Sequence, residues 1–320
     1  EIVIYVRLGD LSRARRALRG RLADGLPAGA VQLLAALYAA DGHDRSALGI
    51  LRRYVRRAGP PATSTLSLWR AAFPTPWAQA FERAATDSGV PRSVIYAIAR
   101  TESAFNERAQ SHAGAVGLTQ LLPKVASKIA GLWQLHIPSR SALLKAETNV
   151  AIGARYLAEL SRMYQGNHAL VAAAYNAGPY ATRRWLGNDA PVPTDVFVES
   201  LPSGGARAYA MSILSTAATY ALLYPDWQEL AAVRLGRPAM VPSSLGPFMT
   251  GKRIASSQPA VLLGSDKWQA VAATNVDQLP ATSRTWARCA TTAAPHGERG
   301  GLEAPWKSSP PALQVVRPPG

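Results

Sequence analysis

The stretch IYAIARTESAF, residues 95–105, puts a carboxylate where a helix should carry apolar side chains. At helical spacing Ile95, Ile98, Glu102 and Phe105 fall at i, i+3, i+7 and i+10 and form one stripe. A carboxylate in such a row has two readings. It is paired with a buried base, which is a structural role. Or it stays protonated near neutral pH because desolvation raises its pKa, which is the state a general acid needs.

Three further stretches carry residues suited to chemistry. In SHAGAVGLTQLLP, residues 111–123, Gly114 and Gly117 allow a tight turn and a close approach of backbone to a ligand. Leu118, Leu121 and Leu122 are expected to start a short apolar helix, with Gln120 beside them as an amide that donates and accepts. In NVAIGARYLAEL, residues 149–160, Val150, Gly153, Leu157 and Leu160 share one helical face. A glycine in mid-helix there points to close packing against a neighbour. In ALVAAAYNAGP, residues 169–179, a helix of small residues is stopped by Gly178-Pro179. Tyr175 and Asn176 then lie at a helix end, where side chains can face a cleft.

The elements that position these residues read as helices. The chain has 320 residues, 48% of them apolar, with long Ala-, Leu- and Arg-rich stretches and little strand-like alternation. The expected class is all-α. Residues 1–60 read as two or three short helices with glycine stops at Gly25, Gly42 and Gly59, similar to helical-repeat hairpins. The arginine clusters Arg13-Arg15-Arg16 and Arg52-Arg53-Arg56-Arg57 read as solvated faces. AGPPATSTLSL, residues 58–68, has linker composition. Residues 61–235 hold the dense helical periodicity and every motif above. Residues 236–320 hold 11 of the 24 prolines and no apolar period, and read as a low-order tail.

Composition also excludes some functions. The lone Cys289 can make no internal disulfide and no cysteine-based zinc site, and the five histidines lack metal-ligand spacing. No apolar run reaches the length of a membrane span. The chain opens on Glu1 with no leader, which reads as a processed chain or an internal fragment. The net charge of +15 is spread over the chain and suits an anionic partner. The basic groups lack aromatic interleaving and no nucleic-acid reader motif appears, so nucleic acid is not expected.

In this order, ES-x-F, GA-x-GL-x-Q-x-x-P, N-x-x-x-G-x-x-YL and A-YNAGP resemble the soluble lytic transglycosylase family over roughly residues 70–225. The likeness extends to RRWL at 183–186 and to ESLPSGGARAYAMSIL at 199–214. It implies a lysozyme-like helical domain with a glycan cleft, preceded by the end of an α-helical superhelix. The implied substrate is the glycan strand of peptidoglycan. Cleavage of the β-1,4 bond between N-acetylmuramic acid and N-acetylglucosamine would leave a 1,6-anhydro end without consuming water. The family's catalytic Glu falls on Glu102, and its cleft residues correspond to Ser111, Gln120, Tyr175 and Asn176. The nucleophile would be the sugar's own C6 hydroxyl, so one protein carboxyl would serve as acid and then base. Tyr175 is expected to orient Glu102 or to bond to the sugar. The implied location is the cell envelope, in particular the periplasm. The resemblance implies no metal or organic cofactor.

Departures from the family pattern are Gly205 and Ala206 where Glu-Thr often stands before the last tyrosine, Thr119 in place of Met, and Glu147-Thr148 in place of Asp-Pro. Two other functions fit the same residues. A goose-type lysozyme would hydrolyse the same bond and need a second carboxylate, for which Asp189, Asp195 and Glu199 are available. A non-catalytic wall-binding scaffold would use the cleft only to hold glycan.

Overall fold

Every regular element among the described residues is a helix, as the composition predicts. The computed structural model describes residues 2–22, 25–187, 192–202 and 204–229. The expected tail at 236–320 and Asp189 lie outside the described residues. Four helices form the N-terminal part: α1 (Ile2–Arg7), α2 (Leu11–Gly20), α3 (Ala28–Ala40) and α4 (Asp44–Ala58). The Asp10 side chain caps α2 by accepting from the Arg13 N–H at 3.0 Å. α3 packs on α4, which buries Leu48, Leu51 and Val55 and leaves Arg52, Arg53, Arg56 and Arg57 exposed. Arg15 departs from the solvated reading: it pairs with Asp41 and lies over the Tyr38 ring.

The linker-like stretch ends sooner than its composition suggests, because α5 (Leu66–Ala72) begins inside it. Trp69 Nε1 donates back to the Gly59 carbonyl at 3.2 Å, tying α5 to the end of α4. α6 (Ala78–Ser88), α7 (Arg92–Ser103), α8 (Pro123–Leu132), α9 (Ala146–Met163), α10 (His168–Ala177), α11 (Pro179–Leu186), α12 (Thr194–Ser200) and α13 (Gly204–Leu223) follow.

α7 is the hub. It packs against α6, α9 and α13, and every residue from Ser93 to Arg100 is buried. The Tyr96 ring stacks on Phe81 at 3.9 Å and on Tyr220 of α13 at 5.3 Å. Arg100 reaches out of α7 to donate to the Ala72 carbonyl at 2.5 Å, with its guanidinium over the Phe73 ring. The helix stops because Ala104 and Phe105 both take left-handed backbone, with φ of 55° and 66°. Phe105 is still buried, so the apolar row of the sequence survives although its last member is no longer helical.

A helix buried this deeply needs partners for its terminal backbone groups. At the N-terminus the Glu229 carboxylate accepts from the N–H groups of Arg92 and Ser93, each at 2.7 Å. An acid at this end also meets the positive end of the helix dipole.

The apolar helix expected at Leu118, Leu121 and Leu122 does not form. These residues belong to a turn in which Val116 bridges to Gln110 and to Leu121, and α8 starts only at Pro123. The backbone groups of Thr119, which a helix would have used internally, are engaged by side chains of α9 and α10.

Replacing Glu229 with Ala leaves two N–H groups of the hub helix without their carboxylate. We expect a loss of roughly 1–2 kcal/mol in urea unfolding, with little effect on helix content by circular dichroism.

Candidate active site

Glu102 lies in the last turn of α7, half-buried, with its carboxyl against α13. Its Oε1 accepts from the hydroxyl of Tyr209 at 2.5 Å. Burial raises the Glu102 carboxyl above its ordinary value of 4.5, against the opposing pull of the Tyr209 hydrogen bond and the Arg45 charge. Arg45 makes its hydrogen bond to the Glu102 backbone carbonyl, at 3.1 Å, and not to the carboxylate. Of the two readings open in the sequence, a carboxyl kept above its usual range fits better than a buried ion pair.

Glu159 provides the contrast. It is also buried, on α9, and burial likewise pushes its carboxyl up. It is nevertheless ion-paired with Arg162 and accepts from Trp133 Nε1 at 2.8 Å. It is the structural kind of buried acid.

The turn at 115–121 is held in place by Asn149, the first residue of the third motif. Asn149 is fully buried at the start of α9. Its Oδ1 accepts from the backbone N–H of Thr119 at 2.8 Å and from the Thr119 hydroxyl at 2.7 Å. Its Nδ2 donates to the carbonyls of Val116 at 3.0 Å and Leu143 at 2.8 Å. All the hydrogen-bonding capacity of one amide is thus used. Two glycines make room for this arrangement. A Cβ on Gly117 would come within 2.1 Å of Asn149 Nδ2, and its φ of +80° disfavours any side chain. A Cβ on Gly153 would come within 2.5 Å of the Thr119 hydroxyl oxygen. The close packing expected at Gly153 is therefore made by the Thr119 side chain.

Tyr175, near the end of α10, donates to the Thr119 carbonyl at 2.7 Å and leans on the Tyr156 ring at 5.2 Å. The fourth motif thereby fastens the second. The phenol bonded to Glu102 is Tyr209, so the orienting role expected of Tyr175 falls to the residue on α13. Burial pushes both phenols well above their ordinary range, and the charge of Glu102 adds to this. Both remain neutral donors.

The other expected site residues sit around this centre. Gln120 has left-handed backbone, φ 50°. Its Nε2 donates to the carbonyls of Ala109 at 3.0 Å and Gly117 at 2.9 Å, so the turn uses its donor side. Ser111 is exposed, and its Oγ accepts from the Ala115 N–H at 3.0 Å. Asn176 is exposed at the end of α10. The structure groups Glu102, Tyr175 and Tyr209, and joins Gln120 to them through the turn. Ser111 and Asn176 make no direct contact with Glu102.

Sequence reasoning passed over Tyr209 and Arg45. Tyr209 had a usable signal: it lies four residues before the buried Ile213, a hydroxyl on an apolar helical face, just as Glu102 is. Arg45 had none, being one arginine among many. Two of the three acids available to a hydrolase can be placed. Asp195 is exposed on α12, and Glu199 is paired with Arg207.

These features define an all-α, lysozyme-like domain in which α7 carries a desolvated carboxyl bonded to a phenol. Residues 79–197 match the model of the transglycosylase SLT domain family. The chain is 36% identical over 168 residues to the soluble lytic murein transglycosylase of Escherichia coli strain K12, covering 52% of this chain and 26% of that protein. It therefore spans about a quarter of that relative's length. It is 34% identical over 154 residues to membrane-bound lytic murein transglycosylase C of Sodalis glossinidius. That match covers 41% of this chain and 43% of the relative. Among solved structures, an inactive Glu-to-Gln mutant of the lytic transglycosylase Slt from Pseudomonas aeruginosa superposes with a TM-score of 0.55 at 27% identity. That superposition covers 74% of this chain and 36% of the other.

Two measurements test this geometry. Asn149→Ala deletes four buried hydrogen bonds and should cost about 3 kcal/mol or more in denaturant unfolding. The second concerns pH. A carboxyl whose folded pKa lies above its unfolded value binds its proton more tightly when folded, so stability falls as pH rises through the window above 4.5. Glu102→Gln removes that loss. The variant should gain on the order of 1 kcal/mol over wild type near neutral pH, and the gain should vanish in thermal melts below pH 4.5.

Proposed function

We propose that the chain is a peptidoglycan lytic transglycosylase. The reading is that Glu102 cleaves the β-1,4 bond between N-acetylmuramic acid and N-acetylglucosamine to leave 1,6-anhydro ends. The observation that carries it is the state of Glu102: desolvated, with a neutral phenol donating to Oε1. A glycosidase that uses water or an enzymic nucleophile needs two carboxyl groups across the scissile bond. A reaction in which the substrate supplies its own nucleophile needs one.

In this mechanism Glu102 starts protonated. Tyr209 donates to Oε1, so the proton to be transferred sits on Oε2. Glu102 passes it to the glycosidic oxygen as the C1–O bond breaks. The resulting carboxylate is stabilised by Tyr209. It then takes the proton of the C6 hydroxyl as that oxygen bonds to C1. No water enters the balance, and a half-buried site that limits solvent favours ring closure. Gln120 Oε1, the Ser111 hydroxyl and the exposed amide of Asn176 are suited to acetamido and hydroxyl groups of the bound sugars. Residues 61–235 form the catalytic unit in this reading, and residues 1–60 the end of an α-helical superhelix. The site of action is the cell envelope. No helix among the described residues is long and apolar enough to cross a membrane.

The names of the relatives support the substrate, since they are lytic murein transglycosylases. The test is a peptidoglycan digest analysed by mass spectrometry, wild type beside Glu102→Gln. Wild type should release fragments lacking one water relative to reducing-end products, and the variant should lose activity at least a hundredfold. Reducing-end products would instead indicate a lysozyme.

A further inference from the structure

We infer that Arg45 is a positioning residue for Glu102, a guanidinium supplied by α4 that anchors the turn carrying the catalytic carboxyl. The inference rests on the single-acid reading above and extends it to a residue outside the segment that matches the family model.

The argument starts from the backbone of α7. The carbonyls of the last turn have no partners within the helix and must find them elsewhere. The Arg100 carbonyl accepts from the Ala104 N–H at 3.1 Å, and the Ser103 carbonyl from the Asn106 N–H at 3.2 Å. The Glu102 carbonyl accepts from Arg45 Nη2 at 3.1 Å, across 57 residues of sequence. The left-handed turn at Ala104 and Phe105 carries the chain away from the axis, so no later N–H can take that place. Arg45 fills it.

The charge of Arg45 is as useful as its N–H. A cation at a helix C-terminus faces the negative end of the dipole. It is the counterpart of Glu229 at the other end of α7, so a distant acid and a distant base clamp the same helix. The charged and titratable groups around Glu102 are Arg45 from α4, Tyr209 from α13 and Tyr175 from α10. Both phenols remain neutral, so Arg45 is the nearby charge that favours the carboxylate formed after proton donation. Arg45 borders an open cleft of about 660 Å³, with His43, Asp44, Ser103, Asn106 and Arg108 among its other lining residues. The side chain is exposed, and substitution should leave the core packed.

The experiment uses the full chain as wild type, Arg45→Met and Arg45→Lys. Met keeps the length without charge or donor, and Lys keeps the charge without the planar fork. The first readout is an NMR titration of the Glu102 carboxyl carbon, assigned by its absence in Glu102→Gln. The second is the pH profile of anhydro-end release from solubilised glycan strands. In Arg45→Met the midpoint and the alkaline limb should both move up by roughly half a pH unit, a modest shift because the guanidinium is screened by solvent. The kcat should fall several-fold with KM little changed. Arg45→Lys should return the midpoint toward wild type while kcat stays low. An unchanged midpoint and kcat in Arg45→Met would overturn the inference. So would a Lys variant that leaves the midpoint where Met put it. If wild type releases no anhydro ends, the proposed reaction fails, and the carboxyl titration still decides whether Arg45 acts on Glu102.

Discussion

A carboxyl removed from water has to be held by the protein, and the arrangement around Glu102 follows from that constraint. Bulk solvent stabilises an ordinary glutamate in either protonation state. Half-buried at the end of α7, Glu102 has a phenol on one oxygen and a cation near its backbone. The anion is therefore disfavoured but not forbidden. In the reaction proposed above, Glu102 gives up a proton and takes one back in a single turnover, which needs that balance. Glu159, by contrast, is tied to the Arg162 guanidinium and the Trp133 N–H within the fold.

Holding a side chain to that tolerance requires a helix that cannot shift. α7 is buried along its length and fixed through both ends by side chains from far along the chain. Arg100 adds a third tie, to the carbonyl of Ala72. α7 is therefore fastened to α4, to the end of α5 and to the segment after α13. Its geometry depends on contacts from outside residues 79–197 as well as within them.

The turn opposite is built by saturation. Asn149 spends every donor and acceptor on residues 116–143, Thr119 fills the gap left by Gly153, and Tyr175 takes the Thr119 carbonyl. The Asn149 amide, the Thr119 hydroxyl and both Thr119 backbone groups all have partners, and an alternative shape of the turn would leave several without one. Three of the four motifs thus interlock through Thr119. Gly117, Gly153 and Asn149 shape this turn. The change at Gly205 falls outside this lock, at an exposed position one turn before Tyr209.

The sequence alone determined the helical class, two or three of the four N-terminal helices and the stripe that singles out Glu102, because apolar periodicity and glycine stops are local signals. It marked Gly153 as a place of close packing and Gly114 and Gly117 as a close approach to a ligand; of these Gly117 makes room for Asn149, while Gly114 has open space beside it. It misjudged Leu118 to Leu122, where the periodicity is helical but side chains from α9 and α10 claim the backbone groups a helix would use. It left Tyr175 either to orient Glu102 or to bond to the sugar and did not single out Tyr209, the phenol that reaches the carboxyl. Which tyrosine reaches Glu102, and which of many arginines meets its carbonyl, depends on how α13 and α4 pack against α7. Those contacts span 107 and 57 residues. Nothing in local pattern encodes them, and only the tertiary structure decides them.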